Sequence, residues 1–158
     1  MGGGKLHEKI WECSCGEGHL SKRLEELGYK VISSDLIDRG YGKGNIDFLT
    51  VSKHNLELDI ITNPPYKYAL EFVKKGLDVI SDGYKVFMFL KLQFLEGKKR
   101  RELFDTGCLK HVYVSSERIL CAKNGDFETM KKGGGSAVAY AWYEFEKGYN
   151  DSTILSWI

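Results

Sequence analysis

Hydrophobic and polar positions alternate along this chain with two different periods, and the periods take turns. "KIWECS", starting at Lys9, has strand spacing, and "GHLSKRLEELG" follows with Leu20, Leu24 and Leu27 at helical spacing. Lys22, Arg23, Glu25 and Glu26 fall on the other side of that helix, and Gly28 closes it, as expected for a helix packed on a sheet. "YKVISSD" returns to strand spacing, which completes a β-loop-α-β unit. The glycine-punctuated "DRGYGKGNIDFL" predicts a loop leading back to a short strand or turn. Next come "LDIIT" as a strand, "KYALEFVKKGLDVI" as a helix and "YKVFMFLKLQFL" as a strand with its exit. Strands alternating with helices predict a parallel sheet.

Towards the end of the chain the alternation stops. "KHVYVSS" and "AVAYAWYEFEK" are strand-like and separated by the polar loop "ERILCAKNGDFETMKKGGGS", with no helical pattern between them. Strands joined without a crossover helix are most easily antiparallel. The expected fold class is therefore α/β, mostly parallel, with an antiparallel strand near one edge. No internal repeat or domain linker interrupts the pattern, so residues 1–158 read as a single domain, and "KKGGGS" reads as a mobile loop tip.

Composition narrows the picture. With 158 residues, 42% of them hydrophobic, the chain suffices for one domain with a sizeable core and is too short for two ordinary ones. Lys and Arg total 23 against 22 Asp and Glu, so the net charge of +1 provides no whole-molecule field for nucleic acid. Any polyanion site must be a local patch. No apolar run approaches the roughly 18 residues of a membrane span. "MGGGKLHEK" lacks the apolar core of a signal peptide, so the expected location is cytoplasmic, without membrane contact. Gly2 is followed by Leu6 where a myristoylation motif wants Ser or Thr. Cys13, Cys15, Cys108 and Cys121 lack paired CxxC spacing and obvious His ligands, so reduced, mostly buried thiols are expected and no metal.

Two stretches carry candidate chemistry. "ECSCGEGHLS" joins the first strand to the first helix, with glycines at 16 and 18. Glycine permits a sharp turn and close ligand approach, and the helix start adds unpaired N–H groups, as in a nucleotide-cofactor loop. A dinucleotide fingerprint would want a third small residue where Ser21 stands. Asp35 ends the second strand, where a carboxylate can accept from both hydroxyls of a ribose. That position suits a nicotinamide cofactor or S-adenosylmethionine alike. "IDFL" offers Asp47 to an adenine amino group and Phe48 to an adenine face, or equally a surface Asp beside a core Phe. His19 reads as a solvated or capping side chain.

"NPPY", residues 63–66, follows an interior strand at its carboxyl end, where parallel sheets bind ligands. The two prolines fix φ and remove two donors, leaving carbonyls in need of donors from elsewhere. A substrate amino group meets that need, with one N–H to the Asn63 side-chain oxygen and the other to the Pro64 carbonyl. Such acceptors favour the positive charge that grows on nitrogen during methyl transfer, and no strong base is required. Tyr66 can stack on the planar group and hold it in line with a methyl donor.

These residues resemble a family. "ECSCGEG" is similar to the acidic-x-x-x-Gly-x-Gly motif, and "NPPY" to the (Asp/Asn)-Pro-Pro-(Tyr/Phe) motif, of Rossmann-like class I S-adenosylmethionine-dependent amino-methyltransferases. The wider run from "WECSCGEGHLSKRLEELGYKVISSDLIDRGYG" through "NPPYKYALEFV", "FLKLQFLEGKKR" and "CAKNGDF" resembles the small N6-adenine DNA methyltransferase-like proteins of bacteriophages and prophages. The resemblance implies S-adenosylmethionine as cofactor, with Glu12, Gly16 and Gly18 around its methionine part, Asp35 at its ribose, and Asp47 and Phe48 at its adenine. Asn63, Pro64, Pro65 and Tyr66 would form the target pocket. In one respect the chain departs from the family: its first strand begins at Lys9, where related proteins usually carry a helical segment first.

The implied activity is methyl transfer to an exocyclic amine, foremost adenine N6 of DNA, with nucleic acid as partner. Alternatives are an RNA base (adenine N6 or guanine N2), a protein glutamine, or a degenerate fold that binds nucleic acid or a partner without catalysis. In this fold the loop from Glu117 to Ser136 should overhang the "NPPY" face, offering Arg118, Lys123 and Asn124 to phosphates or a base edge. Lys91 and Gln93, at the exit of their strand, are further candidates for substrate contact. "EGKKRRE" either touches a backbone or forms a solvated helix face. A base in a duplex would have to be extruded, because neither acceptor can reach a stacked, paired amine.

Overall fold

The computed structural model describes residues 6–116 and 138–158. Seven strands form one sheet in the order β2-β1-β3-β4-β6-β5-β7. They are β1 (Lys9–Glu12), β2 (Lys30–Ser33), β3 (Asp59–Thr62), β4 (Lys85–Lys91), β5 (Leu109–Val114), β6 (Tyr140–Glu146) and β7 (Ile154–Trp157). β6 runs antiparallel to both of its neighbours, and every other pairing is parallel. The expected mostly parallel sheet with an antiparallel strand near one edge is therefore observed.

Among the described residues, three α-helices cover the sheet: α1 (His19–Glu26), α2 (Ala69–Val79) and α3 (Lys98–Asp105). Side chains alternate across a strand, so neighbouring residues serve different layers. Ile10, Ile61 and Phe87 meet Leu24 of α1 on one face. Trp11, Ile60, Val86 and Met88 meet Phe72 and Val73 of α2 and Leu103 of α3 on the other. β3 is buried throughout, as an interior parallel strand should be.

Some elements differ from expectation. Leu27 falls at the C-cap of α1 and is 58% exposed, because the helix stops one residue before it. In "DRGYGKGNIDFL" the return after β2 is one bridge, Ser34 to Lys43, followed by a 3₁₀ turn at Phe48–Thr50. β7 lies at the sheet edge with exposed residues and no alternation of burial, so its sequence carries no periodic signal.

The chain leaves β1 towards β2 on one side and returns to β3 on the other side of β1. A doubly wound sheet opens a crevice at such a reversal, outside the carboxyl ends of its strands. Glu12 ends β1 there and Thr62 ends β3.

Candidate functional site

The turn from β1 into α1 needs two residues in the left-handed region, and glycines supply both, Gly16 at φ +55° and Gly18 at φ +89°. Their surroundings are different. A Cβ on Gly18 would sit 2.5 Å from the Tyr41 ring, whereas nothing lies within 4 Å of one on Gly16. Gly18 thus closes a packing contact, and Gly16 leaves its backbone approachable. Tyr41 is held over the loop by its hydroxyl, which donates to Glu25 Oε1 at 2.8 Å.

Asp35 stands beyond β2 and faces the same loop. The Gly16 N–H donates to its Oδ2 at 2.7 Å, and the Ile37 N–H donates to its Oδ1 at 3.1 Å. The carboxylate is half-buried and each oxygen keeps acceptor capacity.

Glu12 lies beneath the loop, only 1% exposed. Its Oε2 accepts from the Ser14 N–H at 3.0 Å, and its Oε1 accepts from the Thr62 hydroxyl. Burial pushes its carboxyl up to about 8, against the opposing pull of those hydrogen bonds and of the Asn63 N–H. The Glu12–Thr62 bond ties the ends of β1 and β3 together across the crevice. The sequence carried no signal for Thr62 in this role, because the contact spans fifty residues.

Residues 63–66 leave β3 at that point. Asn63 is exposed and its side-chain amide makes no hydrogen bond among the described residues; the Pro64 carbonyl is likewise without a partner among them. Pro65 caps a 3₁₀ turn, Tyr66–Tyr68, which runs directly into α2, and its carbonyl accepts from the Tyr68 N–H at 3.0 Å. Tyr66 packs partly on the core. The Lys91 ammonium lies 4.8 Å from its ring centre and the Arg100 guanidinium 5.5 Å. Gln93 is exposed in the 3₁₀ turn Leu92–Leu95, and its backbone carbonyl accepts from Arg100 Nη1 at 3.0 Å. Tyr41 is a site residue that motif reading missed, since it arrives from the loop after β2; Arg100 belongs to the "EGKKRRE" run already considered for backbone contact, and its approach to Tyr66 is what the fold adds.

Hydrogen bonds therefore join Asp35 to Gly16, and Glu12 to the end of β3, while Lys91 reaches Tyr66. Phe48 is placed elsewhere. It is 1% exposed, between Trp11 at 5.1 Å and Phe72 at 5.3 Å, and so belongs to the core. Asp47 is exposed and caps the 3₁₀ turn, accepting from the Leu49 N–H at 3.0 Å. His19 is exposed at the start of α1, with its ring 3.5 Å from the Glu17 carboxylate. Arg118, Lys123 and Asn124 lie outside the described residues.

Other groups offer little chemistry. Burial pushes the Cys15 thiol up to about 11 and raises Cys13 as well, so neither is an activated nucleophile. Among the described residues no three His, Cys, Asp or Glu side chains cluster as metal ligands would, and no helix is long and apolar enough to cross a membrane. Two shallow depressions, of about 330 and 440 Å³, flank α2 at Lys74 and Asp78 and include no residue of the site.

No protein-family model and no curated protein matches the chain. Solved structures do. An S-adenosylmethionine-dependent methyltransferase from Methanosarcina mazei superposes with a TM-score of 0.59 at 14% identity, over 92% of this chain and 95% of that one. A TehB-like S-adenosylmethionine-dependent methyltransferase from Corynebacterium glutamicum gives 0.55 at 12% identity, over 91% and 82%. The type IIG restriction endonuclease BpuSI gives 0.63 at 14% identity, over 94% of this chain and 24% of that one. The chain has the Rossmann-like fold of class I methyltransferases.

Proposed function

We propose that the protein transfers a methyl group from S-adenosylmethionine to an exocyclic amino nitrogen, with adenine N6 of DNA as the foremost target. The observation that carries this reading is the position of Asn63, Pro64, Pro65 and Tyr66, at the end of β3 beside the strand-order reversal and next to the glycine loop. A neighbour of the same fold is a restriction endonuclease, which favours DNA among the possible polymers.

The residues present suit the cofactor. Gly16 has open space where a side chain would stand, and the Asp35 carboxylate faces the loop with unused acceptor capacity, as a ribose diol requires. Glu12 shapes the loop that would receive the methionine part. Asp47, exposed beyond β2, remains available to an adenine amino group, while Phe48 supports it from the core. When bound, S-adenosylmethionine supplies an electrophilic methyl group on a sulfonium.

The chain's own residues then handle the amine. The Asn63 side-chain oxygen and the Pro64 carbonyl accept its two N–H bonds and stabilise the positive charge that develops on nitrogen, which is discharged when the methylated amine releases one proton to solvent. Tyr66 stacks on the planar base and orients it. The test pairs two variants: Asn63→Ala should keep cofactor affinity and lose turnover roughly 100-fold or more, while Asp35→Ala should weaken cofactor binding itself. Full turnover in Asn63→Ala would sink the mechanism.

A further inference from the structure

We propose that the 3₁₀ turn after Pro65 carries a second nucleotide subsite, in which Tyr68 stacks the base next to the target and Lys67, Lys91 and Arg100 hold the flanking phosphates, so that the preferred substrate is a single strand. This rests on the reading above, that a nucleic-acid base enters beside Asn63.

Three observations point to it. The first is charge left unneutralised. Among the described residues no carboxylate pairs with Lys67, Lys91 or Arg100, which share this with most surface cations of the chain but, unlike them, gather around the turn that carries Tyr66 and Tyr68. In a molecule of net charge +1, these cations form a local positive rim.

The second is that the rim is interleaved with rings. Lys91 and Arg100 stand over Tyr66, Arg100 also lies 4.8 Å from the Phe94 ring centre, and Lys67 stands 5.5 Å from that of Tyr68. Cations beside aromatic platforms are the means by which proteins hold single strands, with stacking for the bases and charge for the backbone. Arg100 is also set in place: its Nη1 donates to the Gln93 and Glu96 carbonyls at 3.0 Å each, leaving the rest of the fork for an incoming anion.

The third is Tyr68 itself. It is 45% exposed, two residues beyond Tyr66 and at the N-cap of α2. A base stacked on Tyr68 has left its own duplex stack. If the target and its neighbour are both held this way, a paired duplex must open over two nucleotides, at a cost a single strand does not bear.

Fluorescence anisotropy with a labelled single-stranded oligonucleotide, and with its duplex, tests this without cofactor or turnover. The single strand should bind more tightly than the duplex. Tyr68→Ala should weaken it roughly 5- to 100-fold, and Lys67→Gln and Arg100→Gln should each reduce the salt slope by roughly 0.7. Lys67 and Tyr68 are exposed, so those variants should melt as the parent does and keep the test independent of Arg100's anchoring role. Unchanged single-strand affinity in Tyr68→Ala, or a preference for the duplex, overturns the subsite and leaves methyl transfer untouched. Equal competition by polyglutamate also overturns it, because the surface would then read charge alone. Absence of methyl transfer with the binding pattern intact would instead remove the catalytic reading and keep the subsite.

Discussion

Glu12 is a carboxyl group buried away from water, and that has a consequence for stability. Its value rises from an ordinary 4.5 to about 8 in the folded protein because burial penalises the charge. Between those limits the folded state keeps a proton that the unfolded chain has released. The stability that Glu12 contributes is therefore fully present below about 4.5 and declines as pH rises towards about 8. Glu12→Gln should flatten that decline, as read from urea midpoints across the window; the same slope in the variant would assign the effect to another group. Within the candidate site, Glu12 and Asn63 could be singled out from the sequence because each sits in a short contiguous motif, and Asp35 because it follows a strand-like run. Thr62 and Tyr41 could not, and Arg100 was read only as part of a basic run without its place over Tyr66, because these roles come from contacts between elements far apart in sequence.

The elements that build the site make the two loop glycines unequal. Gly18→Ala meets the Tyr41 ring and a left-handed backbone together, and should cost about 1–3 kcal/mol. Gly16→Ala meets only the backbone preference, about 1 kcal/mol, and should show its main effect on cofactor affinity, since its Cβ points into open space. Thermal unfolding with a parallel cofactor titration separates the two, and equal losses of stability would contradict the assignment. The 3₁₀ turn after Asp47 depends on its buried ring, so Phe48→Ala should cost about 3–5 kcal/mol in a denaturant titration. A loss under about 1 kcal/mol would show that the site is not core. The elements carrying a clear period, β1 through β4 with α1 and α2, were readable from the chain. β7 was not, because a strand exposed on both sides buries no alternate face, and α3 was read only as a charged run because it buries a single residue, Leu103.

At the scale of the whole molecule, the sheet's reversal of strand order places the glycine loop and the "NPPY" turn at neighbouring strand ends. Identities of 12–14% to the methyltransferase and restriction-enzyme structures, over more than nine-tenths of this chain, show that the fold itself persists with little sequence in common. A ligand that binds only the folded state should stabilise it by about 2.7 kcal/mol at a hundred times its Kd. S-adenosylmethionine should therefore raise the melting temperature of the parent protein and of Asn63→Ala, and much less that of Asp35→Ala; no shift in any of them would contradict the cofactor assignment. The most direct measurement incubates the protein with labelled S-adenosylmethionine and unmethylated DNA, with RNA and protein in parallel, then digests each and identifies the methylated product by mass spectrometry. N6-methyladenine in the DNA digest, absent with Asn63→Ala, is the predicted result, and a protein that binds S-adenosylmethionine yet labels none of the three polymers would contradict it.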